Sequence, residues 1–437
     1  MNMIQKPKGT YDVYGEMGRK LRYVEQVFSA LMDRYDYEYV ATPLFEQSNL
    51  FHRSVGDSSD IVRKETYDFK DRGDRMMTLR PEGTAGVVRS YIENKMYGDI
   101  DLPKKLWYFG SMFRYERPQA GRYREFRQLG VEVLGSPDPM MDAEIISIPV
   151  NLFRLLGLEG VKVRINSLGD QESRNAYREA LKDYFRPHLG ELCHDCNERF
   201  ETNPLRILDC KVDGNTELMK NAPKMEDYLN EESKKHFEKV KEYLDALNIV
   251  YEVNPNLVRG LDYYTHTVFE VEASVEGFGS QNVLCGGGRY DLLVETLDGP
   301  HTPAVGFALG IERLLTALDY EELQVGEEKE LDIYVIPLSD EDKGYAIGLS
   351  QALRLSGFSV DVDSLNRSMK SNFKQADRKH SRFVMIIGES ERENNLLTIK
   401  DNHTKQEYKV TIDEIIDFLD EHMDSCDCDD CHDREGE

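Results

Sequence analysis

The sequence predicts a mixed α/β chain: an antiparallel sheet flanked by helices, interrupted by a helical insertion and followed by a smaller C-terminal α/β domain. Three observations carry this. Leu106 to Gly135 reads as two strands joined by an arginine-rich loop. In its second half, EFRQLGVEVLG, the apolar Leu129, Val131 and Val133 alternate with Gln128, Gly130 and Glu132, the period of a strand with two unlike faces. From about 170 to 250 the composition turns polar and rich in lysine and glutamate, with helical spacing around Glu226 to Leu247. From LDIYVIPL onward, strand and helix signals alternate, the mark of an α/β unit. At 437 residues, 40% hydrophobic and 10% aromatic, the chain is too long for one ordinary domain and rich enough for more than one core. The expected division is 1–325 with the insertion inside it, 326–422, and a tail at 423–437.

Each element has its own signal. After KGTYD, Leu21, Val24, Phe28 and Leu31 recur at helical spacing, and the strand-like YEYVATP follows, ending at Pro43. LRPEGTAGVVRSYI reads as a turn capping a helix. Beyond the insertion, strand patterns resume at Val268 and at 281–285. In AVGFALGIERLL, Ile311, Leu314 and Leu315 share one side of a helix and leave Arg313 off it. The charged TALDYEELQVGEEKE marks a boundary. The C-terminal domain then offers a helix at 342–355, the strand FSVDVDS, a helix at 367–379, the strands RFVMIIGE and LLTIKD, and a last helix near 413–418. The tail MDSCDCDDCHDREGE has too little apolar content to order itself.

Composition narrows the setting. No apolar run approaches the roughly 18 residues of a membrane span, and MNMIQKPKGTYD lacks the apolar stretch of a secretory signal, so a cytoplasmic protein is expected. The net charge of −26 argues against a nucleic-acid partner only superficially. Acidic residues crowd 413–437, where Arg434 is the single base, while basic residues cluster between Arg117 and Arg127. Seven cysteines, an odd number at uneven spacing, fit reduced thiols rather than a disulfide framework. The gap between Cys193 and Cys196 suits half of a zinc site, with Cys210 as a third thiol. His194 inside the gap and the missing fourth cysteine leave it short of a full set, so no metal is assigned there. Cys426, Cys428, Cys431 and His432 form a second metal-capable cluster in the tail.

The hairpin supplies the clearest geometry. Alternation places Phe126, Gln128, Gly130 and Glu132 on one face, and Arg114 and Glu116 share a face of the partner strand. If the faces coincide, one floor carries a ring, an amide, two carboxylates and a guanidinium. Near the C-terminus, Arg367, Lys370, Lys374 and Arg378 follow at steps of three, four and four and fall on one helical stripe.

Three segments together, FRYERPQAGRYREFRQLGVEVLG from Phe113, LVRGLDYYTHTVFEV from Leu257 and AVGFALGIERLL from Ala304, resemble the histidyl-tRNA synthetases of class II, as do LRPEGT and CGGGRYD. The likeness runs from Lys8 to about His422. It departs at VYGEMG, where the family commonly has a leucine–proline pair, and in the acidic tail. The resemblance implies a ligase that activates histidine with ATP and Mg2+, charges tRNA(His) and works as a homodimer. It implies ATP contacts for Arg114, Glu116, Arg122, Phe126, Arg259 and Arg313. It implies histidine contacts for Glu82, Gly83, Thr84, Arg114, Gln128, Glu132, Arg259, Tyr263 and Tyr264, with Glu132 and Tyr264 addressing the imidazole. Arg259 and Arg114 take the catalytic places at the α-phosphate. A carboxylate on one imidazole nitrogen and a phenol on the other would read both, which an apolar isostere cannot satisfy. Arg124 and the stripe from Arg367 to Arg378 are the expected tRNA contacts. The alternative is a catalytically silent, synthetase-like regulatory subunit of histidine biosynthesis. Such proteins usually lack the anticodon-binding domain and lose the ATP-contacting arginines, and this chain has both.

Overall fold

The computed structural model describes residues 3–423 except 57, 58, 60, 119, 120, 209, 211, 215, 262 and 276–281. The acidic tail and its cysteines therefore lie outside the described residues. The chain divides into two compact units, Met1–Glu327 and one beginning at Glu328.

The first unit is built on an eight-stranded sheet. Across it run Glu38–Tyr39, Lys104–Phe113, Glu125–Leu134, Ala304–Gly310, Val283–Arg289, Thr265–Ala273, Val161–Ser167 and Tyr251–Val253. The six central strands are mutually antiparallel. Only the outermost strand on each side is parallel to its neighbour. Helix Gly15–Tyr35 buries the anticipated Leu21, Val24, Phe28 and Leu31 and stops at Asp36, whose φ of 59° is left-handed. With helices Pro139–Leu155, Glu231–Ala246 and Ile311–Tyr320 it forms one apolar core on Leu129, Val131, Val133, Phe269 and Phe307 of the sheet. At about 1.5–3 kcal/mol for each large apolar side chain removed from water, this layer fixes which face of every strand is left for chemistry.

Two features differ from the sequence reading. Helix Glu231–Ala246, expected within the insertion, gives Phe237, Val240 and Leu244 to that core. Its amphipathic stripe is visible in the sequence, but the surface that receives it comes from the distant helix Pro139–Leu155. A small sheet of Phe45–Gln47, Met76–Leu79 and Tyr67–Lys70 was not anticipated either. Its strands of three or four residues are largely exposed, so no buried face marks them.

In the second unit a five-stranded sheet runs Val360–Val362, Leu331–Pro337, Ser381–Ile387, Leu396–Asp401 and Glu407–Thr411. The first three strands are parallel and the last two antiparallel. Helices Lys343–Leu355 and Ile415–Met423 close over Ile333, Val335, Phe383 and Met385. The basic stripe needs correction here. Helix Met369–Arg378 starts after Ser368, so Arg367 precedes it, and its guanidinium is held by Asp363 at 2.7 Å. Lys370, Lys374 and Arg378 remain exposed at helical spacing. No helix among the described residues is long and apolar enough to cross a membrane.

Candidate active site

The face of the large sheet turned away from the helical core carries a cleft. The strand register aligns Glu132 with Gly306, Gly288 and Val268 in one row, and Gly130 with Ala308, Gly286 and Glu270 in the next. The glycines make the floor low. A Cβ on Gly306 would stand 1.9 Å from Glu132 Oε2, and one on Gly286 would stand 2.3 Å from the Arg259 guanidinium. The space these residues give up is the space the two charged groups occupy.

Glu132 is 1% exposed. One carboxylate oxygen accepts from the Thr84 hydroxyl at 2.7 Å and the other from the Tyr290 hydroxyl. Burial pushes its pKa up to about 8; the two hydroxyls offset part of that shift, and nearby Glu82 adds to it. Glu82 lies just before Gly83, after which the helix Thr84–Glu93 begins. Its carboxylate accepts from the Thr84 and Ala85 amides at 2.7 and 2.9 Å, while burial raises its pKa. The family role expected for Glu82 is thus joined to a capping one. The Tyr263 and Tyr264 rings meet at a tilt of 51° with centres 4.6 Å apart, and Tyr263 meets Tyr290 at 5.5 Å. Beside them no donor among the described residues reaches the buried Gln128 Oε1.

Cations gather along the same cleft. Arg259, over Gly286, pairs with Glu270. Arg114 lies just past the strand end at Phe113. Its Nε donates to the Pro81 carbonyl at 2.9 Å, and its guanidinium sits 5.1 Å from the centre of the Phe126 ring. Glu116, also beyond the strand end, faces Arg122 at 3.3 Å. Arg313 is not free, as its place off the apolar face suggests: it donates to the carbonyls of Gly121 at 3.4 Å and Val283 at 3.2 Å. No carboxylate among the described residues lies within ion-pair distance of it. Arg124 turns elsewhere, 4.0 Å over the Tyr115 ring, and does not line the cleft.

Sequence reasoning passed over Tyr290, Glu270 and Glu312. Glu312 lines the cleft, accepts from the Arg127 amide at 2.8 Å and bonds the Tyr11 hydroxyl. Tyr290 had a signal. Gly286, Gly288 and Tyr290 alternate at a strand's period, so two empty positions precede a phenol on one face.

An antiparallel sheet with this arginine-lined cleft, followed by a separate α/β unit, is the architecture of class II aminoacyl-tRNA synthetases. A family model described as histidyl-tRNA synthetase matches residues 9–314, and one described as anticodon binding domain matches residues 332–422. The histidine–tRNA ligase of Bacillus cytotoxicus is 50% identical over 420 residues, 96% of this chain and 99% of that protein. The Bacillus subtilis enzyme is 50% identical over 413 residues, 94% and 97%. The crystal structure of apo S. aureus histidyl-tRNA synthetase aligns with a TM-score of 0.81 at 44% identity, covering 95% of this chain and all of that one. The chain belongs to the histidyl-tRNA synthetase family.

Proposed function

We propose that the protein is a histidine–tRNA ligase of the cytoplasm. The histidine carboxylate attacks the α-phosphorus of ATP, forming the acyl–phosphate bond of histidyl-adenylate as the bond to pyrophosphate breaks. A ribose hydroxyl of the terminal adenosine of tRNA(His) then attacks the acyl carbon, and AMP leaves. The observation that carries this reading is Glu132: a buried carboxylate held by two hydroxyls, in a cleft that Arg114, Arg259 and Arg313 also line.

The residues support distinct roles. Glu132 accepts an imidazole N–H, and the Tyr264 phenol faces the other nitrogen. Gln128 Oε1 and Glu82, both acceptors, suit the α-amino group, with Gly83 and Thr84 shaping that end. Arg259 and Arg114 stabilise charge at the α-phosphate, where a planar guanidinium makes two parallel bonds. Phe126 and Glu116 receive the adenine, and Arg122 and Arg313 the distal phosphates. No group on the protein becomes covalently attached, so catalysis is positioning and charge stabilisation. Magnesium fits as the companion of ATP. It takes oxygen ligands and keeps several waters, so phosphate oxygens and water would make up its shell without a dedicated protein cage. The ion supplies neutralisation of the departing pyrophosphate. Arg124 contacts the tRNA near the cleft, and Lys370, Lys374 and Arg378, with Arg367 at the foot of their helix, contact it in the second unit. The protein acts as a homodimer.

Amino-acid-dependent exchange of pyrophosphate into ATP tests the assignment. Histidine alone among the amino acids is expected to drive it, and equal exchange with another amino acid would overturn the reading. Ending the chain at Glu327, which keeps the whole first unit and its core, is expected to spare exchange and to lower tRNA charging.

A further inference from the structure

The insertion brings together a second set of reactive side chains between Cys193 and Asp213. Cys193 precedes helix His194–Thr202 and Cys196 lies in its first turn. Cys210 and Asp213 belong to a turn closed by the Gly214 amide on the Cys210 carbonyl at 2.7 Å. One ligand atom from each of these four residues can be chosen so that all lie within 4.8 Å of one another. The Cys193 and Cys210 sulfurs are 3.7 Å apart, and Cys210 Sγ is 3.8 Å from Asp213 Oδ2. A tetrahedral zinc ion with bonds of about 2.3 Å to sulfur sets sulfurs about 3.8 Å apart. A disulfide requires about 2.05 Å, and all three cysteines are free thiols.

A second regularity points the same way. Each half of the cluster is a pair three residues apart, Cys193 with Cys196 and Cys210 with Asp213. The Asp213 amide donates to the Cys210 sulfur at 3.4 Å, and the Cys193 amide donates to Asp213 Oδ2 at 3.0 Å, tying the two halves together. Cys196, Cys210 and Asp213 are buried and Cys193 is partly so, hence four protein ligands would close the site and leave no open position for substrate. That is the form of a structural site.

We propose that Cys193, Cys196, Cys210 and Asp213 bind one structural zinc ion. The sequence alone supplied three members of this set and no fourth ligand. Asp213 completes it, three residues after Cys210. The ion would clamp helix His194–Thr202 to the turn that carries Asp213. Between these pieces Arg206 donates to the Gly260 carbonyl at 3.2 Å, the residue next to Arg259. Zinc therefore steadies the insertion segment that leans on the loop presenting Arg259.

The test uses the full chain carrying C426S, C428S and C431S, which removes the tail thiols as competitors. Metal analysis is expected to find one zinc per chain, as in the parent. Exchange for cobalt is expected to give thiolate-to-cobalt charge-transfer bands and the intense visible bands of a tetrahedral site. Asp213→Ala in this background should weaken zinc binding at least tenfold in competition with a chromogenic chelator. Cys210→Ser should weaken it further. Because the metal count and the cobalt spectrum need no change in the cluster, they stand even if a cluster variant fails to fold. Zinc lost with the tail thiols, a cobalt form without thiolate bands, or a Cys193–Cys210 disulfide in the isolated protein would each overturn the proposal.

Discussion

Asp142 and Glu132 are carboxylates buried to nearly the same depth in one compact unit, 0% and 1% exposed, and their partners are opposite in kind. Asp142 is bonded by the buried Arg289 guanidinium and faces His236 at 3.3 Å. Burial alone would raise its pKa, but the Arg289 charge, with hydrogen bonds from His236 and Arg289, holds it well below the usual carboxylate range. Glu132 has two neutral hydroxyls and no cation, and it keeps its proton up to about pH 8. A buried charge that is already matched is finished structure. A buried acid left without a cation is costly to the fold and available to a ligand, which is what recognition of a basic ring asks for.

The contrast breaks most visibly on the structural side. Arg289→Met strips Asp142 of its counter-charge inside the core, and a loss of ~3–5 kcal/mol is expected in denaturant unfolding near neutral pH. An unchanged midpoint would mean that Asp142 is not held by charge.

The two carboxylates should also respond to pH with opposite sign. For Asp142 the folded state releases its proton at lower pH than the unfolded chain. Its stabilisation is thus present above the ordinary carboxylate pKa and disappears as pH falls through the depressed value. For Glu132 the folded state retains a proton that the unfolded chain gives up near 4.5. Between that value and about 8 the folded state binds more protons, so stability falls as pH rises through the window. Glu132→Gln keeps an acceptor for Thr84 and an amide for the Tyr290 oxygen while removing the titration. The variant is expected to match the parent near pH 5 and to exceed it by on the order of 1–3 kcal/mol at pH 8–9, read as a higher Tm. Equal pH dependence of parent and variant would show that Glu132 titrates normally.

Much of this was legible in the sequence, because the large sheet and its helices have periods. Leu129, Val131 and Val133 alternate with Gln128 and Glu132, and the structure separates the two sets onto opposite faces. What stayed hidden depends on partners far away in the chain. Tyr290 gains its meaning from Glu132, 158 residues earlier, and Glu270 from the arginine it pairs with. Helix Glu231–Ala246 reads as insertion until helix Pro139–Leu155 is seen beneath it. Arg367 looked like the first member of a helical stripe, but the helix begins only at Met369 and Asp363 takes the guanidinium, so the stripe is three residues long. The residue that joins the three cysteines was hidden for a different reason: Asp213 is a carboxylate, and a spacing pattern of cysteines passes over it.

The most direct test of Glu132 as the reader of imidazole is the histidine concentration dependence of ATP–pyrophosphate exchange in Glu132→Gln against the parent. Beside the bound basic ring Glu132 gives up its proton and accepts the imidazole N–H as a carboxylate; an amide cannot take that charge, and a buried hydrogen bond to a charged group is worth roughly 2–3 kcal/mol, so the KM for histidine is expected to rise about 30- to 150-fold, with the KM for ATP nearly unchanged and the fold at least as stable. Normal histidine dependence in a folded Glu132→Gln protein would contradict the account, because the costly buried acid would then have no part in recognition.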